Sequence, residues 1–260
     1  MHITTISSAA NPRLKLAKSL QTKRARRKQQ QILLEGERLI ADSMSAGFAP
    51  ALFFFTPQAE QRHPLLLARA AQSGAQLLRV EPALFAGISD TRNPQGLLAI
   101  SPIPQIPSNA FGITLILDGV RDPGNLGTLL RTAAAANVAQ ILLLPGVTDP
   151  WAPKVLRSGM GAHFRISLTH IHDAAELRAR LPRHQLYFAD ARGPQHYTDI
   201  DWTQPSALIL GGETEQARLI NHCPSLQPIA IPMARGVESL NVAVAGSIIL
   251  FEAARQQTNR

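Results

Sequence analysis

Short runs of Ile, Leu and Val recur through the C-terminal part of the chain, at Ile113–Leu117, Ile141–Leu144, Phe164–Ser167, Leu186–Ala189, Ala207–Leu210 and Pro228–Ile231. Helical patterns separate most of them, over Leu126–Ala136, Pro153–Met160, Ala174–Leu181 and Glu215–Asn221. Strands of this composition joined by crossover helices predict a mainly parallel sheet covered on both faces. The last run stops at Pro232, and a loop holding Gly236 leads into a helical stretch from Val242 to Arg255. That stretch is apolar almost all round, with Val244, Ile248, Ile249, Leu250 and Phe251 spaced by Ala243, Ala245 and Gly246. A helix without a polar face is expected to be buried, in its own core and against a second subunit. Ser239 or Asn241 is the expected N-cap, so exposed N–H groups and the positive dipole end face the polar cluster Glu238, Ser239 and Asn241.

The N-terminal half alternates on a smaller scale. Residues 31–100 hold strand-like runs at Ile32–Leu34, Ala51–Phe55, Gln76–Val80 and Leu97–Ile100, with helical patterns at Glu37–Ala46 and Pro64–Ser73. This predicts a small α/β domain of its own. Three alternating prolines in 101–108 read as a stiff linker to a larger domain over 109–260.

Charge is concentrated in 1–30, read as a basic N-terminal arm with a helix after Pro12 that puts Leu14, Ala17 and Leu20 near one face. Residues 1–34 carry 8 of the 26 Lys and Arg and no acidic residue, which leaves 18 basic against 18 acidic residues elsewhere. The whole net charge of +8 therefore sits in this segment. Such a concentration points to a polyanion, with Arg13, Lys15, Lys23, Arg24, Arg26 and Arg27 as candidate RNA-binding residues. A solvated tail and a mitochondrial transit peptide are the alternatives, the latter poorly matched by Pro12 and the Gln29–Gln31 run.

Composition is that of a globular protein, 45% hydrophobic and 17% charged, and no apolar run reaches membrane-spanning length. The lone cysteine, Cys223, precludes an internal disulfide and fits a reducing, cytoplasmic setting. The histidines lack Cys or acidic companions at metal-ligand spacing, so no metal is expected.

Two stretches carry chemistry besides the C-terminal one. The run Asp118-Gly119-Val120-Arg121-Asp122-Pro123-Gly124-Asn125-Leu126-Gly127-Thr128-Leu129-Leu130-Arg131 lacks both the dinucleotide-binding glycine spacing and the Gly-Lys-Ser/Thr of a phosphate loop. It reads as a turn-rich loop opening a helix, with Gly127 one turn before Arg131. Arg131 then needs an anionic partner, either a ligand or a carboxylate such as Glu213. In Leu210-Gly211-Gly212-Glu213, glycines end a strand where ligands of open α/β sheets bind. Glu213 is open to three roles: accepting from a ligand hydroxyl, orienting Arg131, or stabilising a helix N-terminus.

Together, Asn125-x-Gly127-x-x-x-Arg131, Gly211-Gly212-Glu213, and Ile231-Pro232-Met233 with Ser239-Leu240-Asn241-Val242 resemble the three ordered motifs of the SpoU (TrmH-type) RNA 2′-O-ribose methyltransferases. Gln216 stands where the family's second motif usually ends in glycine. Ser8 to Lys15, Leu34-Glu35-Gly36 and Asp90-Thr91-x-x-Pro94-Gln95-Gly96 likewise resemble the ribosomal-protein-like RNA-binding domain of some members. The resemblance implies an α/β fold whose C-terminal, mainly parallel sheet is tied in a trefoil knot and flanked by helices. A smaller N-terminal α/β domain would bind substrate RNA.

It further implies S-adenosylmethionine as methyl donor and a homodimer through the C-terminal helix. Gly211, Ile231, Met233 and Leu240 would hold the cofactor, and Asn125, Arg131, Glu213, Ser239 and Asn241 would form the catalytic surround. Within this reading, Cys223 between His222 and Pro224 lies away from all three motifs, so a hydroxyl target fits better than a base carbon attacked by a thiolate. Ribosomal RNA is the expected substrate. Transfer RNA, or a non-catalytic ribosome-assembly role, are the alternatives.

Overall fold

The computed structural model describes residues 2–109, 112–211 and 226–258. The chain divides into two units, Met1–Gln105 with Asp149–Phe164, and Ile106–Thr148 with Arg165–Arg260.

The first unit is built on a five-stranded sheet of β1 (Ile3–Ile6), β2 (Gln31–Glu35), β3 (Leu52–Phe55), β4 (Gln76–Val80) and β5 (Leu97–Pro102), ordered β1-β4-β3-β5-β2. Strands β1 and β3 run parallel to β4, whereas β5 is antiparallel to β3 and β2. Helices α1 (Pro12–Ser19), α2 (Lys23–Gln29), α3 (Glu37–Ser45), α4 (Pro57–Arg62), α5 (Pro64–Gln72) and α6 (Pro82–Ala86) accompany it. Both faces of the sheet are buried, so neighbours along a strand enter different cores. Leu34, Phe53, Phe55, Leu67 and Leu97 fill one, and Ile6, Leu14, Leu33, Phe54 and Phe85 fill the other.

Residues 1–30 are therefore not a separate arm. Strand β1 forms the edge of the sheet beside β4, and α1 lays Leu14, Ala17 and Leu20 into the second core. The expected one-sided placement of those three residues holds, but the face they share is inward. The expected linker also begins later, because Ser101 and Pro102 still pair with Ile32 and Gln31 in the β2–β5 ladder.

The second unit carries β6 (Thr114–Asp118), α7 (Pro123–Ala135), β7 (Gln140–Leu143), β8 (Leu168–His170), α9 (Ala174–Arg180), β9 (Gln185–Ala189), β10 (Gln195–His196), β11 (Ser206–Gly211), β12 (Leu226–Ala230) and α10 (Val242–Thr258). Helix α8 (Pro153–Gly159) belongs to the first unit. The seven strands are ordered β10-β12-β9-β11-β6-β7-β8, and every described pair is parallel, as the Ile/Leu/Val runs predict. Strand β6 is buried at all five positions, the signature of a central parallel strand covered twice. The run Phe164–Ser167 is not a strand. Phe164 closes a short 3-10 turn, and pairing with β7 starts only at Leu168. The helix expected over Glu215–Asn221 lies outside the described residues.

The stretch Asp149–Phe164 corrects a second expectation, since Pro153–Met160 reads in sequence as a crossover helix of the larger sheet. Leu156 and Phe164 instead join Leu34, Phe53 and Leu97 in the first unit's core. Ion pairs reinforce the attachment: Arg157 Nη2 lies 2.8 Å from an Asp90 oxygen, and Arg26 Nε donates to Asp149 Oδ2 at 3.0 Å. Arg26 also donates from Nη1 to the Leu20 carbonyl at 2.8 Å. Its side chain is 4% exposed and that of Asp149 11%. Nearby, His163 Nε2 lies 2.8 Å from the Pro150 carbonyl, and burial lowers its pKa to about 4, so the ring is neutral and Nε2–H donates.

Truncating one member of a buried pair strands the other. Arg26→Ala is expected to destabilise the protein by about 3–5 kcal/mol in urea unfolding. Lys23→Ala, on the exposed side of the same helix, should stay within roughly 0.5 kcal/mol.

Candidate active site

In the second unit the chain runs outward from β6 through β7 to β8, then crosses to β9 on the far side of β11. Such reversals open a crevice at the carboxyl ends of the strands. A cavity of about 920 Å³ occupies this place. Its walls come from the ends of β6 (Asp118, Gly119), β9 (Ala189, Asp190) and β11 (Leu210, Gly211), and from the segment between β12 and α10.

Helix α7 enters the site already organised. Pro123 takes its first turn, and the N-cap Asp122 accepts the Asn125 N–H at 2.8 Å. Helix α10 is capped by Asn241, whose Oδ1 accepts the N–H groups of Ala243 at 2.9 Å and Val244 at 3.3 Å. Of the two expected caps, it is Asn241 and not Ser239. With its oxygen committed to the helix, the Asn241 amide nitrogen donates to Asn125 Oδ1 at 3.1 Å. The Asn125 oxygen is then also engaged, which leaves its own NH2 as the donor available to a ligand.

Position 211 tolerates only glycine, for a reason other than ligand approach. Its φ is +113°, and a Cβ would collide with the Asp118 carbonyl oxygen opposite it in the ladder. Gly246 plays a similar part on α10, where a Cβ would come within 2.5 Å of Leu210 Cδ1 and 2.6 Å of Leu129 Cδ2. It therefore lets α10 settle onto β11 and α7. The Ser247 hydroxyl, spent on the Ala243 carbonyl at 2.7 Å, lies 3.0 Å from the Thr132 hydroxyl of α7.

Asn125, Gly211, Ile231, Met233, Ser239, Leu240 and Asn241 thus all line one cavity, although they come from three separated stretches of sequence. Arg131 does not line it. It stands exposed on α7, without a carboxylate partner among the described residues. Glu213 lies outside the described residues. In the first unit Lys15, Lys23, Arg24 and Arg27 are exposed and Arg13 half-buried, but Arg26 is turned inward onto Asp149, which removes it from any RNA-facing surface. Among the described residues, no group of three or more His, Cys, Asp or Glu is placed to hold a metal.

Residues 112–251 match the SpoU rRNA Methylase family, and residues 11–99 match the MRM3-like substrate binding domain. The chain belongs to the SpoU rRNA Methylase family. The mouse mitochondrial rRNA methyltransferase 3 is 34% identical, over 89% of this chain and 69% of its own length. The Bacillus subtilis 23S rRNA (guanosine(2553)-2′-O)-methyltransferase RlmP is 31% identical, over 95% of this chain and 97% of its own. The crystal structure of an AdoMet-bound rRNA methyltransferase from Sinorhizobium meliloti superimposes with a TM-score of 0.81 at 31% identity, covering 97% and 98% of the two chains.

The matched region contains Asn125, Gly211 and the segment from Ile231 to Asn241, which supply much of the cavity wall. Sequence reasoning passed over Asp118. This residue closes the strand after Leu115-Ile116-Leu117, is 1% exposed and lines the cavity. Burial pushes its carboxyl pKa up. The signal was present as a single acid at the end of a wholly buried run. Arg121 and Asp190, also in the wall, gave no such signal.

The double use of Asn241 separates stability from ligand geometry. Asn241→Ala should cost about 1 kcal/mol of thermal stability through the lost cap. Asn241→Asp, which keeps the acceptor, should unfold close to the wild-type temperature while no longer donating to Asn125.

Proposed function

We propose that this protein transfers a methyl group from S-adenosylmethionine to a ribose 2′-hydroxyl of ribosomal RNA. The observation that carries this reading is the convergence of Asn125, Gly211, Ile231, Met233, Ser239, Leu240 and Asn241 on one cavity at the sheet's switch point. The cavity suits the cofactor in size and lining. Sites for such ligands usually run to about 300–1,000 Å³, and Ile229, Ile231, Leu240 and Val242 give apolar walls beside backbone groups at Gly119 and Gly211. When bound, the cofactor supplies an electrophilic methyl on a positively charged sulfur.

The chain's own groups then have to place the ribose oxygen in line and help it lose its proton. Arg131 is not suited to be the base, because a guanidinium stays protonated at any ordinary pH. We assign it to an RNA phosphate and to the developing alkoxide, with Glu213 holding it or taking the proton through water. Its exposed position on α7, beyond the cavity wall, is compatible with a contact made by bound RNA. Asn125, fixed by Asn241, is a neutral donor in the cavity wall. Lys15, Lys23, Arg24 and Arg27, with Arg13 beside them, are assigned to the RNA backbone.

The same reading includes a trefoil knot in the C-terminal segment, action in the cytoplasm, and a homodimer through α10. The inner face of α10 is Ala243, Gly246, Ile249, Leu250 and Ala253, whereas Val244 and Phe251 are 48% and 53% exposed. An apolar stripe left outward on a helix supports a partner there. Phe251→Glu is expected to turn a dimer into a folded monomer in analytical ultracentrifugation, and a dimer that persists removes α10 from the interface.

Mapping 2′-O-methyl groups in total RNA with and without the protein should reveal one protein-dependent ribose in ribosomal RNA. A site confined to transfer RNA, or none, overturns the substrate or the activity. Arg131→Ala should lower the methylation rate at least ~100-fold, the scale for losing a transition-state donor, while cofactor affinity stays unchanged.

A further inference from the structure

Three carboxylates line the cavity among its described residues, and two of them are already employed. Asp122 caps α7 through Oδ1, and Asp190 Oδ1 accepts the Arg192 N–H at 2.9 Å. Asp118 differs. Both its oxygens are buried without a hydrogen-bond partner among the described residues. A buried carboxylate with neither hydrogen bond nor counter-charge is among the more costly features a fold can keep. Nothing in β6 requires an acid, since the strand is otherwise Thr114-Leu115-Ile116-Leu117 packed on both faces. The ladder opposite position 118 needs only the backbone carbonyl there, which any residue supplies.

We infer that Asp118 is a cofactor-positioning residue, the counter-charge for a positive group of the bound methyl donor. This rests on the reading that the cavity holds S-adenosylmethionine. That molecule brings two positive charges, the sulfonium and the α-ammonium, and its adenosine portion brings none. Arg121 is the one Arg or Lys among the described residues of the wall, and it is exposed, so the described residues offer Asp118 no buried counter-ion. Burial disfavours the ionised form in the free protein, and a cation delivered by the ligand restores it. The attraction acts in a poorly solvated place, where it is screened least. If the partner is the sulfonium, the interaction exists for the methyl donor and vanishes for the thioether product. The residue would then help expel product after transfer.

The test is calorimetric binding of three ligands to the wild-type chain and to Asp118→Asn: S-adenosylmethionine with both charges, S-adenosylhomocysteine with the ammonium alone, and 5′-methylthioadenosine with neither. Asp118→Asn is expected to weaken S-adenosylmethionine at least about tenfold and to leave 5′-methylthioadenosine unchanged. S-adenosylhomocysteine then identifies the charge, unchanged if Asp118 faces the sulfonium and weakened equally if it faces the ammonium. Equal loss for all three ligands would mean a structural role and overturns the inference. No loss for any of them overturns it as well. A wild-type chain that binds none of the three refutes the cofactor reading itself, which separates that failure from the other two.

Discussion

The seating of α10 on the sheet at Gly246 is the contact on which the second unit's site depends. Leu129 of α7 and Leu210 of β11 occupy the space where a side chain would stand, so helix, helix and strand meet there without a spacer. Residues just N-terminal of that contact inherit its precision. Asn241, one and a half turns earlier, caps the helix and reaches Asn125, and the segment from Ile231 to Leu240 bends back along the cavity. A larger residue at 246 would press on the side-chain ends of Leu210 and Leu129, which would have to move. The consequence separates two properties that the apolar sequence of α10 ran together. Gly246 serves packing within the chain, whereas Val244 and Phe251 on the opposite side stay exposed.

In the first unit the corresponding constraint is electrostatic. The pair between Arg26 and Asp149 joins residues 123 positions apart, inside a layer where neither charge would be tolerated alone. Buried pairs add little net stability over an apolar substitute, but they penalise any arrangement that separates the partners. Here the arrangement enforced is the docking of Asp149–Phe164 against α2 and β2, completed by Leu156 and Phe164 in the core. Glu35 at the end of β2 extends the polar network, accepting from the hydroxyls of Ser89 and Thr91 and from the Asp90 N–H. Two separated stretches, Leu34-Glu35-Gly36 and Asp90-Thr91 through Gly96, are thereby one structural feature, with Gln95 Oε1 accepting the Glu37 N–H.

What could be read from sequence divides along physical lines. Period and composition identified the parallel strands, because a doubly covered strand is apolar through its middle, and Leu115–Leu117, Ile141–Leu143 and Ala207–Leu210 are. Of the three-part motif, Asn125, Gly211, Ile231, Met233, Ser239, Leu240 and Asn241 fall on the cavity wall, and Arg131 does not. Local pattern failed where a long-range partner decides the outcome. Residues 1–30 look like a basic, polyanion-binding arm because their charges are conspicuous, yet Ile6, Leu14 and Leu20 find a core supplied by β4 and β5. Arg26 is indistinguishable in sequence from Arg24 and Arg27, and only Asp149 makes it inward. Helix α8 follows the crossover rhythm of the larger sheet but is claimed by the smaller one.

The electrostatics of the cavity give the remaining step. Its best-defined polar contact joins two neutral amides, Asn125 and Asn241, whose orientation is fixed by the helix cap. Neutral dipoles can hold a ligand without perturbing a charge that changes during reaction, and fixed ones need no reorganisation when it does. Methyl transfer from a sulfonium removes a positive charge from the donor and places a proton to be disposed of on the acceptor. A site built for that change needs little charge of its own along the reaction line. It needs an acceptor for the cation at the start and an anchor for the polyanionic substrate outside the cavity. Among the described residues the wall holds the neutral amides of Asn125 and Asn241, one buried unpaired carboxylate at the end of β6, and Asp122 and Asp190 already engaged with backbone N–H groups, while Arg131 stands exposed on α7 outside it. Arg121, the one Arg or Lys among the described residues of that wall, is exposed, where water screens its charge from the donor's.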